Sequence, residues 1–135
     1  MTTQNGQGVV KVLEPGDDGT SLSSNTAVAA GIAMTTQLPT LAAGGYELGA
    51  FDDQVELTFA NLESALADVG AGLADVMHLT VYLTDIDDRP AFNRSYARWF
   101  VHPYPVRCAL QVAALATPGV RVEVTAVAAI PGPVS

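Results

Sequence analysis

Six basic residues, two histidines and a single cysteine are the whole supply of cations, imidazoles and thiols in this 135-residue chain. One cysteine excludes an internal disulfide and a cysteine-built zinc site, and two histidines leave a structural metal site short of ligands. Against 14 acidic residues the six cations leave a net charge of −8. A nucleic-acid backbone or an anionic membrane is met by clustered Lys and Arg, which are missing here. No apolar run approaches the roughly 18 residues that span a bilayer. The opening MTTQNGQG lacks the basic-then-apolar order of a secretory signal. The expectation is a cytoplasmic protein that uses no metal and no cofactor and touches neither nucleic acid nor membrane.

What the chain does have is apolar surface. Hydrophobic residues make up 49% and charged residues 15%, which describes a folded domain rather than a disordered segment. The length suits one domain over 1–135, with 1–7 and 131–135 as flexible tails. So little charge cannot cover the surface of so apolar a domain, and such patches are met by partner subunits, so a homo-oligomer is expected.

Gly8–Leu13 reads as a strand, and Glu14–Ser24, with Pro15, Gly16 and Gly19, as a loop. Thr26–Ala30 and Ile32–Gln37 flank Gly31 as a hairpin or one bent strand, and Pro39–Gly49 is loop. Asp53–Val69 reads as a helix with Asp53 and Glu56 as a capping box, Val55, Phe59, Leu62, Leu66 and Val69 as its stripe and Gly70 as its stop. Val76–Thr84 alternates, with Met77, Leu79, Val81 and Leu83 on one face and His78, Thr80 and Tyr82 on the other. Asp87–Phe100 is a second helix, with Pro90 in its first turn and Phe92, Tyr96, Trp99 and Phe100 for packing. Val106–Ala113 and Val120–Ile130 are strands joined by a turn at Thr117–Gly119. The order β-β-β-α-β-α-β-β predicts an α+β fold, a sheet with two helices on one face and the other face left for a neighbouring subunit.

Arg107 stands inside the apolar strand PVRCALQVAAL. It either presents a guanidinium to a small carboxylate or pairs with an acidic neighbour on an edge strand. Glu123 shares a strand face with Arg121 and Thr125, where it either orients a water or faces solvent. If its strand pairs with that of Arg107, the first reading gains. Cys108 points away from Arg107 and reads as a buried thiol, because neither His78 nor His102 can be set beside it as a base. Asn93 lines a pocket or lies on a helix surface. The chain contains no Gly-x-Gly-x-x-Gly, phosphate loop or His-Glu-x-x-His.

The segment Pro105–Val124, PVRCALQVAALATPGVRVEV, resembles the signature of the Rid family, also called YjgF or endoribonuclease L-PSP. Pro105, Val106, Arg107, Cys108, Leu110, Ala113, Leu115, Val122 and Glu123 fit it, with Val124 where Ile or Met is usual. Thr84–Asp85, Phe92–Asn93 and Tyr96 resemble the family's middle, and Thr35–Pro39 (TTQLP) resembles its Ser-Gly-Gln-Ile-Pro loop. The resemblance spans about residues 26–130. It implies a chorismate-mutase-like fold, a homotrimer with three clefts between subunits, and hydrolysis of 2-imino or 2-enamino acids to keto acids and ammonia. It also implies that Arg107 clamps the substrate carboxylate and Glu123 holds the attacking water. Cys108 would contribute backbone contacts, Asn93 would support the cleft, and Thr35 and Thr36 would line it. The sequence departs from the family at Leu22–Asn25, where a Gly-Pro-Tyr-Ser segment supplies a pocket tyrosine, and at Thr36, which replaces a glycine. Two function classes stay open: an imine/enamine deaminase, and a non-catalytic trimer that binds a small carboxylate. A ribonuclease is disfavoured by the charge.

Overall fold

The computed structural model describes residues 2–4, by backbone alone, and 8–132. Of the expected tails, residues 1, 5–7 and 133–135 lie outside the described residues, and Thr2–Gln4 forms an edge strand, β1. The elements that follow are β2 (Val10–Leu13), β3 (Ser24–Ala29), β4 (Ile32–Gln37), α1 (Phe51–Ala67), β5 (Val76–Leu83), α2 (Arg89–Trp99), β6 (Val106–Gln111) and β7 (Val122–Ala129). Short 3-10 turns lead into β5 and α2. The seven strands form one mixed sheet in the order β1-β2-β3-β4-β7-β5-β6.

β3 and β4 pair antiparallel as a hairpin, not as one bent strand. Ala30 and Gly31 carry φ of 51° and 76°, the left-handed pair that a tight two-residue hairpin turn requires. β7 inserts between β4 and β5, antiparallel to both, while β6 pairs parallel with β5. The strand of Glu123 is therefore not the neighbour of the strand of Arg107; β5 separates them. The turn at Thr117–Gly119 lies within a connection that crosses over β5.

Both helices lie on one face. Val55, Phe59, Leu62 and Leu66 of α1 are fully buried against Leu79, Val81, Leu83, Val122, Val124, Ala126 and Ala128 of the sheet. Phe59 is the hub of the aromatic packing, with ring centroids 5.3 Å from Phe92 and 5.5 Å from Phe100.

Three local expectations are corrected. The helix begins at Phe51, with Ala50 at the N-cap and no side-chain cap, so Asp53 lies inside the first turn. There its charge complements the helix dipole. Glu56 makes no capping box; its carboxylate accepts from Trp99 Nε1 at 3.0 Å and Arg98 Nη2 at 3.1 Å, tying α1 to α2. The helix also ends before Val69, which is half-buried beyond it, and Gly70 takes the left-handed conformation at φ 84°. In β5 a bulge between Val76 and His78 turns Met77 out to 41% exposure, and Val76 takes its place in the core.

The face opposite the helices is bare. Met34, Val106 and Leu110 are exposed on it at 52%, 68% and 39%. No helix among the described residues is long and apolar enough to cross a membrane.

Candidate functional site

The sheet register puts the signature residues on two different faces. Arg107 pairs with Leu79, which is fully buried under the helices, whereas Glu123 pairs with Tyr82 on the bare face. Arg107 thus reaches toward α2 from the edge strand, while Cys108, Glu123, Thr125 and Thr36 belong to the other side.

On the helix side, Arg107 Nη2 donates to Asn93 Oδ1 at 2.7 Å. Its Cζ lies 4.6 Å from the ring centroid of Tyr96 and 5.6 Å from that of Phe92. Asn93 and Tyr96 are three residues apart on α2, so one helix face supplies both the polar pin and the aromatic bed. No carboxylate pairs with Arg107 among the described residues; Arg98 and Arg121, by contrast, pair with Glu56 and Asp88. The reading of Arg107 as an edge-strand ion pair is corrected: its partner is a neutral amide. The Tyr96 hydroxyl is buried without a hydrogen-bond partner among the described residues. Burial pushes its pKa up, against the pull of the Arg107 charge. The Tyr104 ring lies tilted beside that of Tyr96, centroids 5.4 Å apart, and His102 meets Tyr104 edge-on at 6.0 Å.

On the bare face, a depression of about 640 Å³ is lined by Ser23, Ser24, Asn25, Met34, Thr36 and Thr125, among others. The hydroxyls of Thr36 and Thr125 lie 2.8 Å apart. Glu123 is two residues along the same face of β7 from Thr125, and burial raises its pKa. It has no side-chain partner among the described residues, so its oxygens are free to accept from a water or ligand. Leu22–Asn25 and Thr36, the two places where the sequence departs from the family pattern, flank this one depression. The Thr35 hydroxyl is already engaged, donating to Asn25 O and accepting from Gln37 Nε2, both at 2.8 Å. It holds the end of the Leu22–Asn25 segment to β4.

Cys108 is exposed on the bare face, not buried as its residue type suggests. His78 lies on the same face, 3.4 Å from the Thr80 hydroxyl. No group of three or more His, Cys, Asp or Glu that could hold a metal ion gathers among the described residues. Sequence reasoning missed the part of Tyr104. Its only signal was a position two residues after His102 in an aromatic-rich turn.

The family model for endoribonuclease L-PSP matches residues 21–130. A 2-iminobutanoate/2-iminopropanoate deaminase of Capra hircus is 35% identical over 94 residues, 70% of this chain and 67% of that one. The protein DfrA of Myxococcus xanthus is 37% identical over 75 residues, 56% of this chain, which spans only 56% of that relative's length. The crystal structure of RidA from an Antarctic Psychrobacter superposes with a TM-score of 0.78 at 27% identity, covering 89% of this chain and 94% of that one. With its arginine–glutamate signature and its two-helix, mixed-sheet architecture, this chain belongs to the Rid family, the YjgF or endoribonuclease L-PSP proteins.

Proposed function

We propose that this protein hydrolyses a 2-imino or 2-enamino acid to the keto acid and ammonia, in clefts between the copies of a homotrimer. The observation that carries the reading is the state of Arg107: a half-buried guanidinium, bedded on Tyr96 and pinned by Asn93, with no carboxylate partner among the described residues. An unmatched cation on a rigid bed suits a carboxylate held bidentately. Two named deaminase relatives, from goat and cattle, support the reaction class.

The division of labour follows from the two faces. Arg107 of one copy holds the carboxylate, and Glu123 of an adjoining copy faces the same cleft with Thr36 and Thr125. A protonated imine is already electrophilic. Glu123 accepts a proton from water as the water oxygen bonds to the imine carbon and the C=N π pair moves to nitrogen. The proton then passes to the amino group of the tetrahedral adduct, and ammonia leaves as the C=O bond forms, while the hydroxyl proton of the adduct goes to the Glu123 carboxylate and from there to the departing ammonia or to solvent. Burial raises the Glu123 pKa and makes its carboxylate a stronger base. The rest is positioning and charge complementarity.

A coupled assay tests this. An amino-acid oxidase generates a 2-imino acid in place, and loss of the imine is followed with and without the protein. Faster loss supports the reading. No acceleration on any imine, with saturable binding of the matching 2-keto acid, leaves the protein a carboxylate-binding trimer, the reading favoured by Leu22–Asn25 at the place of the family tyrosine.

A further inference from the structure

On one side of Glu123 the bare face carries hydroxyls where a cleft for a plain alkyl side chain would carry carbon. Strand pairing sets Thr36 of β4 opposite Thr125 of β7, and Thr125 opposite Thr80 of β5, so three threonines form one cross-strand row. Thr125 is two residues along β7 from Glu123, about 7 Å at the ordinary rise of a strand. The row that holds Lys11, Ala27, Met34 and Val127 lies one step farther out. In that direction the groups first met from Glu123 are therefore hydroxyls.

The Thr36 and Thr125 hydroxyls lie 2.8 Å apart, and neither has another partner among the described residues. Whichever of them donates, the other keeps its own proton, so the pair still offers one O–H and free lone pairs. Asn25, which lines the same depression, adds to this. Its Oδ1 accepts from the Thr26 hydroxyl at 2.8 Å, and its amide N–H groups are unused among the described residues. In a single copy water satisfies these groups. Once a neighbouring copy closes the cleft, an alkyl side chain would strand them, which is unfavourable. Lys11, Glu14 and Asp17 also line the depression, and two carboxylates against one ammonium do not suit an anionic side chain.

We propose that the Thr36–Thr125 pair selects 2-imino acids whose side chain ends in a neutral hydrogen-bonding group, a γ-hydroxyl being the simplest. The inference rests on the deaminase reading and names the substrate class of that same cleft. A γ-hydroxyl stands three bonds from the imine carbon, and one hydrogen bond more carries it from above Glu123 to the pair. It accepts from the free O–H of the pair and donates to a threonine oxygen. A site built to hydrogen-bond such a group rejects the analogue that lacks it far more strongly than an apolar pocket rejects an added hydroxyl.

Two 2-keto acids of equal length test this: 4-hydroxy-2-oxobutanoate, and 2-oxopentanoate with a methyl in place of the hydroxyl. Calorimetry on the full-length protein should find the hydroxy acid bound at least about tenfold more tightly. Thr36→Val keeps a branched side chain suited to a strand and removes the hydroxyl. It should bring the two acids within about twofold, chiefly by weakening the hydroxy acid, and Thr36→Ser should restore the preference. The imines of homoserine and norvaline, made in place by an amino-acid oxidase, should show the same ratio in kcat/KM. Equal or tighter binding of 2-oxopentanoate by the wild type, or an undiminished preference in Thr36→Val, would overturn the proposal. Turnover of both imines at equal kcat/KM would overturn it and leave the deaminase reading standing. A preference for the hydroxy acid with no turnover of either imine would keep the selectivity and remove the hydrolysis. Neither binding nor turnover would remove both.

Discussion

Arg107 and Glu123 stand on opposite faces of one sheet with β5 between their strands. A single copy therefore does not bring them into one pocket, and a site that uses both draws them from two copies. This makes complementation the decisive test. Arg107→Ala and Glu123→Gln chains, each inactive alone, are refolded together. In the proposed trimer a mixed assembly holds one native cleft in three, and random mixing should restore about a quarter of wild-type turnover. If both residues served one cleft from the same chain, no mixture would contain an intact site and activity would stay at the level of the separate variants.

Arg107→Ala should weaken binding of a 2-keto acid by roughly 2–5 kcal/mol, the range for losing a hydrogen-bonded charge pair. Stability should change by only about 1–2 kcal/mol, since the strand keeps its apolar pattern and loses the Asn93 hydrogen bond and the cation–π contacts with Tyr96 and Phe92. Arg107→Lys should not rescue binding, because a point charge cannot reproduce the fork. Calorimetry for affinity and urea unfolding for stability separate the two effects. Cys108→Ala should leave turnover unchanged, because its thiol makes no hydrogen bond to a base among the described residues.

Burial raises the pKa of Glu123 in the folded chain. Between its ordinary pKa and the raised one, the folded state binds more protons than the unfolded state. Stability from this group is thus full below the unfolded pKa and is lost as pH rises through the folded one. Glu123→Gln, which cannot ionise, should gain on wild type as pH goes from about 4 to 7. Urea midpoints of both proteins across that range read the effect. A constant difference would mean that burial does not burden this carboxylate.

The Tyr96 hydroxyl is buried and has no partner among the described residues. Tyr96→Phe keeps the ring under Arg107 and removes the orphaned group, so it should leave stability unchanged or raise it by up to about 1–2 kcal/mol. Thermal unfolding checks this. A clear loss would mean that the hydroxyl has a partner in the assembled protein.

The helices and the β3–β4 hairpin were legible because they are local: a stripe at helical spacing, a glycine after it, two strands around Gly31. The parity of Arg107 against Cys108 was legible for the same reason. Which side of the molecule each faces was not, because that depends on β7 threading between β4 and β5, a pairing of residues some 90 positions apart. The start of α1 was misread for a related reason. Gln54, buried in its first turn, donates to Gly119 O at 2.9 Å and accepts from Arg121 N at 2.9 Å. A tie across 65 residues leaves no trace in a local capping pattern. The ordinary readings of Arg107 and Cys108 failed because residue type describes an average environment, and the edge strand β6 is not average.

That edge has a consequence for how the chain must be made. Among the described residues β6 has β5 on one side and nothing on the other, and Val106, Cys108 and Leu110 are all exposed along it. A row of unsatisfied peptide groups beside apolar side chains is a template for any passing strand. If the chain assembles as proposed, a newly synthesised copy carries this hazard until others meet it. Crowding many unassembled chains together would then favour precipitation over a reservoir of free monomer.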